Sequence, residues 1–269
     1  MAGLREIRRR LGSIKNMRKI TQAFHLISSA RLKTVQKKLE DYGALYESMK
    51  EIVARIPVEE KDGKGKPLLI VMAGDRGLAG GYNAAVLQEA EKTLRKFKEP
   101  VLVTVGRKAG DFFSKQGLKP AVRLVDVAKN LSPGCFDGVI GLALDHYRQG
   151  GSVFVTYTRF KNPFSMKPVT ERLLPSEKAE DKNIDFAFEP APRELMDYVA
   201  GLYLKLSLYG LYLHSYASEL ASRMRATETA TENADDLIEK LTLQFHRERK
   251  AVITREITEI VSGAENYQH

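Results

Sequence analysis

Apolar residues recur with a seven-residue period at the start of the chain, in a stretch that contains no proline before residue 57. Two rows of positions share one face of the helix, which is typical of a helix in a left-handed coiled coil. The rows are Ile7, Ile14, Thr21, Ser28, Val35, Tyr42, Met49, Ile56 and Leu4, Leu11, Arg18, His25, Leu32, Leu39, Tyr46, Val53. At 1.5 Å per residue, residues 1–56 are predicted to form a helix roughly 80 Å long.

The pattern is interrupted in one place. Between Arg18 and Ser28 both rows become polar, and the apolar stripe moves to other positions. The displaced stripe consists of Met17, Ile20, Phe24 and Ile27. A break of this kind in an otherwise regular helix indicates a place where another molecule docks.

The last third of the chain repeats the pattern. Proline is absent from 193–261, and apolar rows run through Leu202, Tyr209, Tyr216 and through Leu206, Leu213, Leu220. After a thinner stretch, SRMRATETATENAD, apolar positions resume at Leu237. This predicts a second helix of roughly 100 Å. We expect residues 1–56 and 194–262 to pair as an antiparallel coiled coil, the alternative being two separate dimerisation helices.

The middle of the chain, residues 67–190, has a different period. The runs PLLIVMA and VLVTV are typical of buried strands, and each precedes a helical segment, at 79–98 and 106–116. These are followed by the run AVRLVDV, by a helix near 134–149, and by the runs SVFVTYTRF and VTERLLP. Alternating strands and helices favour parallel pairing, whereas the last two runs favour an antiparallel edge hairpin. The prediction is a small Rossmann-like α/β domain of about five strands.

Charge is concentrated at the start of the chain. The net charge is +9, yet residues 1–38 alone hold eleven Lys and Arg and a single acid, Glu6. The remainder is therefore close to neutral. Such a segment binds something acidic: nucleic acid, anionic lipid or an acidic protein surface. The single cysteine, Cys135, excludes an intramolecular disulfide. We expect no membrane span, because the apolar stretch 199–213 is short and contains Lys205.

The glycine-rich stretch AGDRGLAGG resembles a phosphate-binding loop only superficially. Its glycines, at 74, 77, 80 and 81, do not have the spacing of a dinucleotide fingerprint or of a P-loop. The spacing favours a tight strand-to-helix turn that presents Asp75 and Arg76 on its surface. The histidines have no metal-ligand spacing, and no catalytic set can be assembled. We therefore expect no cofactor, no metal and no catalytic residues; a nucleotide-dependent enzyme and a nucleic-acid-binding coiled coil stay open as alternatives.

Both ends of the chain resemble the gamma subunit of the rotary F-type ATP synthase. The resemblance lies in IRRRLGSIKNMRKITQAFHLISSARL, in AGDRGLAGGYN and in ATENADDLIEKLTLQFHRERKAVITREITEIVSGA. It implies a non-catalytic central rotor shaft, one copy per complex, inside a ring of three alpha and three beta subunits. It also implies binding to the epsilon subunit and to the c-ring, with proton-driven rotation of that ring coupled to the catalytic beta subunits. The chain is then expected at the cytoplasmic face of the bacterial plasma membrane, as a peripheral protein that binds no nucleic acid.

The resemblance also implies three sets of contact residues. The cations expected to face an acidic lever on the beta subunits are Arg9, Arg10, Arg18, Lys19, Arg76, Arg249 and Lys250. The apolar tip expected in a bearing sleeve comprises Val252, Ile257, Ile260 and Val261. The foot residues suggested by position alone are Tyr203, Lys205, Tyr209 and Tyr212. The family commonly has Arg-Gln where this chain has Arg249-Lys250, and the thiol-containing regulatory insert of chloroplast relatives is not seen, so we expect no redox switch.

Overall fold

The computed structural model describes residues 2–56, 65–176 and 192–265. The predicted loop after Pro57 and the predicted domain end at residue 190 lie outside these ranges. The helices are α1 (Ala2–Arg55), α2 (Tyr82–Leu94), α3 (Arg107–Lys115), α4 (Asp137–Arg148) and α5 (Pro192–Glu265), with short 3-10 helices at Val127–Lys129 and Pro133–Phe136. The strands are β1 (Leu68–Met72), β2 (Val101–Val105), β3 (Val122–Leu124), β4 (Val153–Asn162) and β5 (Ser165–Leu174).

The chain forms two compact units. One is drawn from Met1–Ile27 and Met224–His269, and the other from Ser28–Arg223. Both unit boundaries fall inside a continuous helix, α1 or α5. The boundaries predicted from the sequence, which separate a helical shaft from residues 67–190, therefore stay a prediction.

The second unit contains the predicted α/β domain. Its five strands lie in the order β3-β2-β1-β4-β5, and β1 pairs in parallel with both β2 and β4. Strand β5 runs antiparallel to β4 at the edge, as the hairpin prediction required. Strand β1 is buried along its whole length because the parallel crossovers place helices against the sheet. The five-stranded Rossmann-like fold class is confirmed.

One face of the sheet packs against α2 and α3. Leu69, Val71 and Leu102 of the strands meet Val86 of α2 and Phe113 of α3 in a cluster closed to solvent. Burial of such side chains supplies most of the favourable free energy of folding.

Helix α5 is bound to the carboxyl-end half of the sheet by hydroxyl groups. The Ser215 hydroxyl donates to the Met72 carbonyl at 3.3 Å, and the Ser218 hydroxyl donates to the Thr158 carbonyl at 3.2 Å. These bonds satisfy carbonyl groups at β1 and β4 that are buried beneath the helix. Within this unit, α5 also pairs with α1: the rings of Tyr42 and Tyr209 meet edge-on with centroids 4.8 Å apart.

The two helices pair antiparallel within the first unit as well. The Arg18 side chain forms an ion pair with Asp235, the Thr21 and Thr231 hydroxyls lie 2.7 Å apart, and His25 Nδ1 lies 3.2 Å from the Met224 carbonyl oxygen. Rising residue numbers on α1 thus meet falling numbers on α5, which confirms the predicted antiparallel coiled coil.

The interrupted stretch of α1 keeps its original contact face. Thr21 and Ser28, which belong to the first row, are buried, whereas Met17, Ile20 and Ile27 are at least half exposed. The helix contact therefore continues through small polar residues at the heptad positions. Three members of the displaced apolar stripe therefore face solvent, whereas the fourth, Phe24, is half-buried.

Candidate partner-binding surface

The glycine turn, residues 74–81, follows β1 and is tied to the neighbouring strands by Asp75. One oxygen of the Asp75 carboxylate accepts the backbone N–H of Arg107 at 3.0 Å, and the other accepts that of Asp126 at 3.0 Å. These amides lie just after β2 and β3. The Asp75 side chain is half-buried, so the expectation that it would be presented on the surface is wrong: it holds three strand ends together.

The backbone next to the turn leaves no room for a side chain at Gly106. This residue has φ of 93°, and a Cβ atom added there would lie 2.0 Å from the Ala73 carbonyl oxygen. Close packing brings the Ala73 amide to the Val105 carbonyl at 2.9 Å and the Lys108 amide to the Gly74 carbonyl at 3.1 Å. Glycine at 106 therefore allows the first helical turn of α3 to meet the start of the glycine turn.

The side chain of Asn83 closes the turn from within. Its Oδ1 accepts the Gly74 N–H at 2.9 Å, and its Nδ2 donates to the Arg76 carbonyl at 3.4 Å. A phosphate-binding loop directs such backbone N–H groups at its ligand. Here the Gly74 N–H is occupied by the protein's own amide side chain, which favours a structural turn.

Helix α5 holds the opposite side of the turn. The Arg223 guanidinium donates to the Gly77 carbonyl oxygen from Nε at 3.3 Å and from Nη2 at 3.2 Å. The Ser222 hydroxyl donates to the Ala79 carbonyl at 2.8 Å. Two successive residues of one helix thus bind two carbonyl groups of the turn.

Glu219 completes this arrangement one helical turn earlier. Its Oε1 accepts from Arg223 Nη2 at 2.5 Å, and both side chains are almost entirely buried. Desolvation raises the pKa of the Glu219 carboxyl, and the Arg223 charge and hydrogen bond oppose that rise. A Cβ atom at Gly74 would lie 2.8 Å from Glu219 Cδ, so the carboxylate also rests against the turn.

Two side chains of the turn face solvent. Arg76 is exposed, as predicted, and Leu78 is 58% exposed. Leu78 has φ of 59°, a left-handed conformation that costs a non-glycine residue free energy. The glycine spacing indicated a turn but did not indicate which residue would take this conformation, so Leu78 was missed.

The first unit presents most of the remaining predicted cations. Arg9, Lys19, Arg249 and Lys250 are exposed on α1 and α5. Arg10 is exposed too, but it is paired with Glu6 at 2.6 Å. Arg18 is paired with Asp235 and lies 3.5 Å from Gln22 Oε1. Arg10 and Arg18 therefore already have acidic partners within the chain, and the sequence analysis identified neither pair.

The predicted apolar tip is largely open to solvent. Ile257, Ile260 and Val261 are each more than half exposed, whereas Val252 is half-buried. Ile253, which was not among the predicted residues, is also exposed. An apolar run of this kind at a helix end is typical of a surface that another protein covers.

Three of the four predicted foot residues are buried within this chain. Tyr203, Tyr209 and Tyr212 each expose less than a tenth of their surface; the Tyr209 ring packs against Tyr42 of α1, and the Tyr212 ring packs against Phe136 of the second 3-10 helix. Lys205 is partly exposed and pairs with Asp137 at 3.0 Å. Lys205 therefore stays a predicted foot residue, whereas the three buried rings expose little surface to a partner.

Other exposed apolar residues were not singled out from the sequence. Leu26 on α1 and Leu243 on α5 are exposed in the first unit, and Phe164 is 83% exposed at the tip of the β4–β5 hairpin. Within the described ranges no group of His, Cys, Asp and Glu has the arrangement of a metal site. None of the helices in the part of the chain that the structure covers is long and apolar enough to cross a membrane.

Comparison with known proteins gives matches along the whole chain. The family model described as "ATP synthase" matches residues 3–266. The ATP synthase gamma chain of Halothermothrix orenii is 35% identical, covering 98% of this chain and 99% of its own length. That of Clostridium kluyveri is 36% identical, with 98% of each chain covered.

Solved structures share the fold at lower identity. A chain of the Euglena gracilis mitochondrial ATP synthase, in the OSCP/F1/c-ring structure of rotational state 3, has a TM-score of 0.72 and 16% identity over 100% of this chain and 95% of its own. A chain of the Tetrahymena thermophila mitochondrial ATP synthase central stalk and c-ring structure has a TM-score of 0.62 and 24% identity over 78% of this chain and 99% of its own.

Proposed function

Because the chain belongs to the ATP synthase gamma chain family, we propose that it is the central stalk of a rotary ATP synthase. The observation that carries this proposal is the match to gamma chains along the whole length, through both long helices and the α/β domain. In this role the chain itself is non-catalytic. It rotates as one copy inside three alpha and three beta subunits and passes the motion of the c-ring to the catalytic sites.

The exposed cations suit a contact that is made and broken repeatedly. We propose that Arg9, Lys19, Arg249 and Lys250, together with Arg76 of the glycine turn, meet acidic side chains of the beta subunits in succession. Arg10 and Arg18 do the same once they exchange Glu6 and Asp235 for a carboxylate of the partner. Exposed ion pairs contribute only about 0–1 kcal/mol each. A rotor can pass such pairs easily, whereas rupture of one buried pair costs about 3–5 kcal/mol.

The apolar end of α5 fits a different role. Ile257, Ile260 and Val261 carry no charge and are exposed over adjacent turns of the helix. We propose that they turn inside a sleeve of apolar side chains formed by the alpha and beta subunits. An apolar contact has no preferred direction, so it supports rotation without holding one angle.

We propose that the second unit binds the other rotor subunits. Lys205 and the surface around it would bind the c-ring, and the α/β domain would bind the epsilon subunit. The complex would then lie at the cytoplasmic face of a bacterial plasma membrane, with this chain held there through its partners.

Reconstitution tests the proposal. The full chain is mixed with matching alpha and beta subunits, and the mass of the complex and the rate of ATP hydrolysis are followed. We expect one copy of the chain per three alpha and three beta subunits and a turnover that depends on the chain. Binding of nucleotide or duplex DNA by the chain alone, without such a complex, would contradict the proposal.

A charge variant tests the role of the cations. Glutamine replaces Arg9, Arg10, Arg18, Arg76 and Arg249 together, and we expect assembly to persist while torque from ATP hydrolysis falls. The matched control replaces five other exposed cations, Lys96, Lys98, Lys115, Lys119 and Lys161, and removes the same charge. Equal torque in the parent and in the first variant would contradict the contact of these arginines with an acidic surface.

A further inference from the structure

The buried ion pair between Glu219 and Arg223 lies directly beneath the glycine turn. Both residues belong to α5, one helical turn apart, and each has about a tenth of its side chain exposed. Replacing a buried ion pair by apolar residues of similar volume is often neutral or stabilising, so stability alone gives little reason for its presence. What the pair touches indicates another role.

Arg223 has two acceptors that an apolar side chain could not serve. Its Nε and Nη2 both donate to the Gly77 carbonyl, at 3.3 and 3.2 Å, while Nη2 also donates to Glu219 at 2.5 Å. A planar guanidinium holds several acceptors in one fixed geometry, which the single ammonium of lysine does not. The Glu219 carboxylate therefore sets the orientation of the guanidinium, and the guanidinium sets the position of the turn.

Asp75 and Asn83 hold the first part of the turn, residues 74–76, whereas the bonds from α5 reach the residues that follow. Leu78 is left-handed at φ of 59°, and Gly80 is left-handed at φ of 51°. Residues in sparsely populated backbone regions persist only where the surroundings fix them. The bonds from Arg223 to Gly77 and from Ser222 to Ala79 flank Leu78 on both sides.

We infer that Glu219 and Arg223 are positioning residues, which hold the glycine turn on α5 so that Arg76 and Leu78 face outward in one fixed orientation. The consequence of this fixed orientation for partner binding rests on the proposed function. The surface so formed joins a cation to an apolar side chain two residues away. Its partner is accordingly a segment of the beta subunit that presents a carboxylate beside an apolar residue.

Spin labelling of the turn tests the inference. The full chain carries Cys135→Ser and Arg76→Cys, and a nitroxide is attached at position 76. Arg223→Lys keeps a cation facing Glu219 but loses the paired hydrogen bonds that Nε and Nη2 donate to the Gly77 carbonyl. We expect the mobile fraction of the label to rise roughly tenfold, the effect of losing about one charge-assisted hydrogen bond. Arg148→Lys, on the exposed surface of α4, is the matched control, and a label at Phe164→Cys reports any general loosening.

Glu219→Gln is the second variant, and it tests the inference if Arg223→Lys does not fold. Glutamine keeps the shape and an acceptor oxygen but loses the charge that orients Arg223, so we expect a smaller rise in mobility. An immobile label in a folded Arg223→Lys or Glu219→Gln chain overturns the inference. A rise of equal size at position 164 also overturns it, because the effect is then general.

The functional step is measured separately in the complex with alpha and beta subunits. Without labels, Arg76→Gln and Arg223→Lys are each expected to lower torque by a similar factor, and the double variant is expected to lower it no further. If the label becomes mobile while Arg76→Gln leaves torque unchanged, the positioning role stands and the proposed contact of Arg76 fails. Independent, multiplicative losses would show that Arg223 does not act through Arg76 and would overturn the link between them.

Discussion

The hydroxyl groups of Thr21 and Thr231 lie 2.7 Å apart between the antiparallel helices of the first unit. Each also lies near a carbonyl of its own helix: Thr21 Oγ1 is 3.0 Å from the Arg18 oxygen and Thr231 Oγ1 is 2.8 Å from the Thr227 oxygen. A coiled coil ordinarily places leucine, isoleucine or valine at such positions. The two helices are therefore joined here by a weak polar contact.

Replacing both threonines by valine is expected to stabilise the chain. Removing both partners of a hydrogen bond and keeping their shape is close to neutral or favourable, so we expect a gain of about 0–1 kcal/mol in the free energy of unfolding. Urea unfolding followed by circular dichroism measures it. The control is Thr254→Val with Thr258→Val, which removes two exposed hydroxyls that bond only within α5. A loss of more than about 1 kcal/mol in the double variant at 21 and 231 would contradict the prediction.

The sequence predicted this helix pairing but not how the polar stretch is accommodated. The heptad rows located Thr21 and Ser28 correctly on the contact face. The displaced stripe was interpreted as a place where another molecule docks, and the exposure of Met17, Ile20 and Ile27 leaves that prediction open. In the structure, a hydroxyl pair fits between closely packed helices, and the larger side chains remain outside.

The α/β domain was predictable for a different reason. Five β-rich runs and their intervening helices favour parallel pairing with an antiparallel hairpin at the edge, as observed, although the pattern did not predict the order of the strands. The roles of Asp75 and Arg223 were not predictable, because the backbone groups that they bind are far away in sequence. The four-residue spacing of Glu219 and Arg223 did not indicate that this pair would be buried against the glycine turn. Burial of Tyr203 and Tyr212 was missed, and Tyr209 was assigned both to a helix contact row and to the foot. An aromatic row on a long helix has the same pattern whether a partner or the chain itself covers it.

Alanine at Gly106 is expected to destabilise the second unit strongly. Its φ of 93° disfavours any side chain, and the new Cβ would lie 2.0 Å from the Ala73 carbonyl oxygen. We expect a loss of roughly 2–4 kcal/mol in the free energy of unfolding, since backbone rather than a flexible side chain has to move. Gly81→Ala is the control, because a Cβ there meets no atom within 4 Å. Equal urea midpoints for the two variants would show that the turn has more room than the structure gives it.

Asparagine at Asp75 is expected to weaken the junction of the strand ends. The carboxylate accepts one backbone N–H on each oxygen, at 3.0 Å in both cases. Asparagine retains one acceptor and turns an NH₂ group toward the other amide, so we expect a loss of roughly 1–3 kcal/mol in the free energy of unfolding. Asp145→Asn, which removes an exposed carboxylate 3.9 Å from Arg148, is the control. The prediction fails if thermal unfolding shows the same loss of stability, relative to the parent, in both variants.

Acidification is expected to destabilise the second unit through His214. Burial lowers the pKa of His214 from its usual 6.5, although its Nδ1 lies 3.2 Å from the Phe160 carbonyl oxygen. The unfolded chain then binds the proton more readily, so this contribution to stability is complete above pH 6.5 and is lost as the pH falls toward the depressed value. His214→Gln is expected to reduce the fall in urea midpoint between about pH 7.5 and about pH 5.5. His246→Gln, at an exposed position, is the control and is expected to show the same fall in urea midpoint as the parent.

Removing Asp235 is expected to strengthen the contact of the chain with its proposed acidic partner. Arg18 is bound to Asp235 across the helix pair, so it has to exchange one carboxylate for another before it can bind a beta subunit. The exchange offsets most of the gain, because exposed pairs contribute only about 0.2–1 kcal/mol. Asp235→Asn releases Arg18, and we expect affinity for the alpha–beta assembly at low salt to rise by up to about fivefold. Asp236→Asn changes the net charge equally at the adjacent exposed position, so an equal gain from both variants would mean that overall charge, and not release of Arg18, sets the affinity.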